Sequence, residues 1–212
     1  MAHSTVQQNV LAEAFGPSEG SALRVKQIVL VMLGIVALTI AAKIRVPMWP
    51  VSITMQTFAV LTIGAAYGLR LGVITILGYL AVGFGFAAFA QVTTGTAGWT
   101  VFTGTSADLA YFAGPTAGYL LGFVIAAAVV GELARRGWSQ TFGGMAASLL
   151  IGNGVIYAIG LPWMAYLFLA EKGGVWVMQW GMTNFLLGDL LKLILAAIIV
   201  PAVWKLVGDA RR

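Results

Sequence analysis

Cysteine is absent from the 212 residues, histidine occurs once as His3, and only 9% of positions are charged. The first absence excludes disulfides and thiol nucleophiles. The second removes histidine from metal binding and acid–base catalysis along the body of the chain. The shortage of charge excludes a soluble domain, whose composition is usually about 25% charged. None of the five lysines precedes serine or threonine, so no Walker-type loop can cradle ATP phosphates. The one Gly-x-Ser-x-Gly string, Gly16-Pro-Ser-Glu-Gly20, lies in the polar N-terminal segment and is no nucleophile elbow, and His-Glu-x-x-His does not occur. No cofactor or metal is expected, and work against a gradient must draw on an ion gradient or on a partner that hydrolyses ATP. The net charge of +5 is scattered between apolar runs rather than gathered on one face, which argues against nucleic acid.

What is present is hydrophobic sequence: 60% of residues, with a mean hydropathy of +0.93. A bilayer core needs roughly 20 mostly apolar residues in helical form. Six runs qualify, at about 27–42, 53–69, 71–90, 114–133, 142–170 and 182–204. The expected fold is all-α, an integral membrane protein with six transmembrane helices forming one domain over residues 23–212. Residues 1–22 are polar and are expected to form a disordered tail, with too long a charged region for a signal peptide. Gly152, Gly154, Gly160 and Pro162 offer places for the long fifth run to tilt or break.

Charge sets the orientation. With the N-terminus inside, Arg24, Lys26, Arg70, Arg135, Arg136, Lys205, Arg211 and Arg212 face the cytoplasm. Lys43, Arg45 and Lys172 face outward. Both termini are therefore expected in the cytoplasm of a bacterial cell, with the body in its plasma membrane. Trp49, Trp99, Trp163, Trp176 and Trp180 gather at the outer ends, where the long connections 43–52, 91–113 and 171–181 lie. An interfacial aromatic belt is one reading of them; a lid over a pocket, to which Trp99 would contribute, is the other.

The most informative residues are Asp189 and Lys192 in the last run. Three positions apart on a helix, they share a face, and each costs ~2.5–3.5 kcal/mol in hydrocarbon. From an expected helix start near Met182, they lie about 10 and 15 Å inward at ~1.5 Å per residue. Asp189 is too short to reach water along the lipid face, so it must turn to the interior or to a cavity. A buried pair is a weak source of stability. A small polar or anionic ligand explains it better than a mere pin between helices.

Other candidates are less specific. Gly114, Gly118 and Gly122 recur every fourth residue and offer a face for close helix contact. Tyr119, one turn into that helix, suits either a ligand or the interface belt. Gln56 suits pocket lining or a bond between helices. Asn153 reads first as a hydrogen bond between helices. Ala37 and Ala41 form a small-x-x-x-small stripe fit for a partner helix.

Three segments together resemble one family. Val46-Pro-Met-Trp-Pro-Val-Ser-Ile-Thr-Met-Gln56, Gly114-Pro-Thr-Ala-Gly-Tyr-Leu-Leu-Gly122 and Gly188-Asp-Leu-Leu-Lys192 are similar in kind and order to BioY, the biotin-binding S component of energy-coupling-factor (ECF) transporters. The likeness covers about residues 24–206. It implies an S-component bundle with an outward cavity, and biotin held by Asp189 and Lys192. It also implies a transmembrane coupling protein docked on the Ala37–Ala41 stripe and driven by two ABC-type ATPases. The chain departs from some members at Leu120, where they carry arginine, so carboxylate recognition is expected from Lys192 with loop hydroxyls such as Ser106. Other readings are an S component for a different vitamin, a stand-alone carrier, single or as a homo-oligomer, and a lipid-modifying transferase with Asp189 as base. A structural membrane partner with no ligand is a further one, but it leaves Asp189 and Lys192 unexplained.

Overall fold

A computed structural model describes residues 10–104 and 106–210, without the side chains of residues 106, 107 and 208–210. A short helix α1 (Leu11–Ala14) leads into α2 (Gly20–Lys43), α3 (Gln56–Thr94), α4 (Ala117–Arg135), α5 (Phe142–Lys172), α6 (Gly174–Gly181) and α7 (Leu186–Ala210). Inside a bilayer no water can satisfy backbone N–H and C=O groups, so helices that pair them internally are the natural outcome for such apolar runs. Two small antiparallel ribbons lie in the connections. They are β1 (Arg45–Val46) with β2 (Ile53–Thr54), and β3 (Gly98–Trp99) with β4 (Ser106–Ala107).

Helix α3 supplies two of the six expected spans. It is interrupted at Gly68, whose φ of +75° only glycine adopts readily. A Cβ on Gly72 would sit 3.4 Å from the Cα of Gly64, so the arms 56–67 and 69–94 lie side by side. The near-absent turn at Arg70 is thus a hairpin hinged on one residue. Gly131 of α4 presses on it: a Cβ there would stand 2.5 Å from the Leu69 nitrogen. The expected close approach of α4 through its repeated glycines is present too. A Cβ on Gly118 would meet Trp163, and one on Gly122 would lie 3.0 Å from the Ile156 Cα, both on α5. Small residues let backbones touch where lipid provides no hydrophobic drive, and α4 is so wedged between α3 and α5.

The outside of the bundle is apolar. On α2, Val25, Ile28, Met32, Leu33, Val36 and Ile40 are exposed; on α7, Leu187, Leu190, Leu191, Leu195 and Ile198 are. Among the described residues, five helical stretches are long and apolar enough to cross a membrane, α3 counting as one and 174–207 as another. The interior holds Leu38, Ile76, Tyr79, Val130, Met145, Leu149 and Ile156, all nearly inaccessible.

Three expectations are corrected. The tail was placed at 1–22, but from residue 10 onward the chain packs: Val10, Leu11 and Ala14 are buried, and Glu13 pairs with Arg135 at 2.7 Å. Val10 fills the hollow left beside Gly68, where a Cβ would lie 3.1 Å from it. Residues 1–9 lie outside the described residues. The connection 171–181 is not an open loop but contains α6, an apolar helix of eight residues. Helix α5 runs unbroken through Pro162 to Lys172.

The hinge gives a test. Gly131→Ala places a methyl against backbone and is expected to cost about 1–3 kcal/mol. Gly143→Ala, which faces open space, should cost little; thermal melting in detergent compares the two.

Candidate functional site

Asp189 and Lys192 face the interior. Helix α7 begins at Leu186, later than expected, so Asp189 stands in its first turn, about 4–5 Å along it at ~1.5 Å per residue. Its burial is owed to the elements folded over it more than to depth along the helix. Asp189 is 6% exposed and Lys192 9%. Lys192 Nζ donates to Asp189 Oδ1 at 3.0 Å and to Thr57 Oγ1 at 3.0 Å. Tyr157 of α5 donates its hydroxyl to Asp189 Oδ2. Four residues from three helices form one closed polar set.

The set borders a hollow whose empty space, counted out to the solvent at its mouth, is about 540 Å³. Only about 50 Å³ of it admits the centre of a water molecule, so the space is a narrow slot. It is lined by Asn153 and Tyr157 of α5, by Asp189 and Lys192 of α7, and by Tyr119 and Phe123 of α4. Thr54, Gln56 and Thr103 form the side nearest the connections.

The sequence candidates distribute unevenly around this slot. Tyr119 lines it, but its hydroxyl is committed to the Gly181 carbonyl at 2.8 Å, so it fastens α6 while offering its ring. Gln56 also lines it and acts as a latch. Its Nε2 donates to the Tyr79 hydroxyl at 2.8 Å, and its Oε1 accepts from Thr103 at 3.3 Å. Trp99 does not reach the slot; it is 57% exposed, packs edge-on against Phe86, and carries the Lys43 ammonium 5.4 Å above its ring. The side chain of Ser106 lies outside the described residues. Ala37 is exposed on α2, whereas Ala41 is 7% exposed and belongs to the core.

The connection carrying Trp99 is fastened at its root. Lys43 Nζ donates to the carbonyls of Thr100, Phe102 and Gly104 at 2.6–2.8 Å. The Phe102 ring stacks on Tyr111 at 5.0 Å and meets Tyr79 edge-on at 5.2 Å. A second aromatic cluster consists of Trp49, Phe168 and Trp176, with ring centroids 5.4–5.7 Å apart. These tryptophans knit connections together instead of standing singly in a belt.

Sequence reasoning missed Tyr157 and Thr57. Nothing local marks either one, since a tyrosine or threonine in an apolar run reads as core. The available signal was Tyr157 standing four residues after Asn153, on the same helix face.

Curated relatives of this chain carry the name of biotin transporters. The BioY family's sequence profile matches residues 13–209. The chain is 30% identical to the biotin transporter BioY of Thermotoga maritima over 169 residues, 80% of this chain and 90% of that one. It is 31% identical to a probable biotin transporter BioY of Pyrococcus horikoshii over 177 residues, 84% and 95% of the two. Against the BioY of Rhizobium etli the identity is 32%, over 80% of this chain and 86% of that one. The fold is that of a solved S component for biotin from an ECF-type ABC transporter, with a TM-score of 0.70, 21% identity, and coverage of 89% and 95%.

Asp189→Asn strands the Lys192 ammonium and is expected to cost about 3–5 kcal/mol of stability, whereas the double change Asp189→Leu with Lys192→Met should cost far less. Melting of the ligand-free protein checks this order.

Proposed function

The chain belongs to the BioY family, and from that premise we propose that it is the substrate-binding subunit of a biotin uptake transporter, with the slot beside Asp189 and Lys192 as its binding site. The observation that carries this is the buried opposed-charge pair turned into a cavity rather than toward lipid. Biotin brings two N–H donors and one carbonyl on a rigid ureido ring, with a carboxylate at the end of a flexible chain. An aspartate oxygen accepts an N–H, and an ammonium donates to a carbonyl or carboxylate. Tyr119 and Phe123 supply apolar surface for the bicyclic ring and chain. Thr54 and Thr103 put hydroxyls on the side nearest the connections, where a carboxylate tail would end.

The narrowness of the slot requires the covering connections to part on entry and close behind the ligand. Lysine and arginine counts favour that mouth facing outside, with both termini in the cytoplasm. A transferase using Asp189 as base fits less well, since its two oxygens already hold Tyr157, Lys192 and Thr57. Energy for release is proposed to come from an ECF coupling protein with two ABC-type ATPases, docked on the exposed part of α2 that includes Ala37.

Two experiments test the proposal. Calorimetric titration of the purified protein is expected to show tight biotin binding, weakened at least tenfold in the Asp189→Leu, Lys192→Met protein. The loss of a buried polar partner is worth about 1–3 kcal/mol. Equal affinity in both proteins would move the site elsewhere. Ala37→Leu is expected to abolish uptake with the coupling module while leaving calorimetric affinity intact; Ala41→Leu, in the core, should lower the melting temperature as well.

A further inference from the structure

Asn153 stands four residues before Tyr157 on α5, so the two side chains share the face that Tyr157 turns to Asp189. It lines the slot with Asp189 and Lys192, and it also borders a smaller void with Thr57 and Lys192. Its Oδ1 is buried and accepts no hydrogen bond from any described residue. The facing polar groups that could have paired with it are engaged with one another: Lys192 with Asp189 and Thr57, and Tyr157 with Asp189. An asparagine that tied two helices together would be bonded across the contact; this one is not.

A buried carbonyl oxygen without a donor is destabilising, because folding strips its water and returns nothing. Beside a binding slot, the missing donor is supplied by whatever enters. The other acceptors around the slot have theirs: Gln56 Oε1 accepts from Thr103, and the Asp189 oxygens accept from Tyr157, Lys192 and Thr57. A charged carboxylate has lone pairs for one N–H more. A rigid ureido ring, however, carries two N–H groups on opposite flanks of its carbonyl, and one aspartate cannot take both.

We propose that Asn153 is a specificity-determining residue that accepts the second ureido N–H of the bound ligand through Oδ1, while Asp189 accepts the first. The inference rests on the reading of the slot as a biotin site and adds to it a direction: the ring lies at Asn153 and Lys192, and the chain runs toward the connections. It also sets what is rejected. A ligand with oxygen, sulfur or methylene in place of that second N–H leaves Oδ1 unpaired and is refused even when its shape fits.

The test is Asn153→Leu, similar in volume and without the acceptor, with Asn153→Ala as the second variant should leucine disturb packing. Ligand-free melting temperature is expected to hold or rise, since no bond is lost, while calorimetric affinity for biotin falls tenfold or more. Of the two ureido N-methyl biotins, one is expected to bind Asn153→Leu and the unaltered protein equally, because the N–H that Asn153 receives is gone. A lower ligand-free melting temperature with unchanged biotin affinity would overturn the inference and return Asn153 to helix packing. Failure of the unaltered protein to bind biotin would overturn the underlying reading itself.

Discussion

The site depends on one constraint: an ammonium and a carboxylate have been taken out of water together. Neither charge is tolerable alone, for the desolvation of an ion is offset only by excellent geometry and added hydrogen bonds. Thr57 from α3 and Tyr157 from α5 supply those bonds. The pair on α7 therefore fixes where two other helices must stand, and through them the walls of the slot. The four side chains that hold the charges also set the walls of the slot.

Around that set the bundle solves a second problem, which is cohesion without water to drive it. Lipid is as apolar as leucine, so helices gain from intimate contact and buried polar links. Helix α4 achieves the contact with Gly118, Gly122 and Gly131, each leaving a neighbour no room for a methyl. The polar links are few and specific. Tyr67 of α3 donates to the Leu30 carbonyl of α2, and Trp204 of α7 to Ser139 before α5. Tyr119 does both jobs, since its ring fits against Gly160 and its hydroxyl holds Gly181.

Much of this was legible in the sequence, and the exceptions share a cause. Apolar runs of bilayer length mark helices by composition alone, so the six spans could be placed, and Asp189 with Lys192 stood out because charge is rare in such runs. Depth was misjudged because α7 starts after a 3-10 turn at Thr183–Phe185, and no cap residue announces that. Helix α6 was hidden by its tryptophans, which look equally like interfacial anchors. Tyr157 takes its role from a partner 32 residues away, and Gln56, already a candidate, takes its fixed orientation from Tyr79. Pairings of that kind are set by the fold; local pattern carries no trace of them. The order at residues 10–14 likewise depends on a hollow made by Gly68, which is remote from them in the chain.

Lys43 fastens three successive-alternate carbonyls, of Thr100, Phe102 and Gly104, with a single ammonium. Such a knot does not loosen strand by strand: when the amine leaves, all three oxygens lose their partner at once. The connection therefore opens in one rare event rather than by degrees. Thr103 lines the slot, so on the proposed reading the stay of a bound guest follows the lifetime of that fastening as well as the strength of its own contacts.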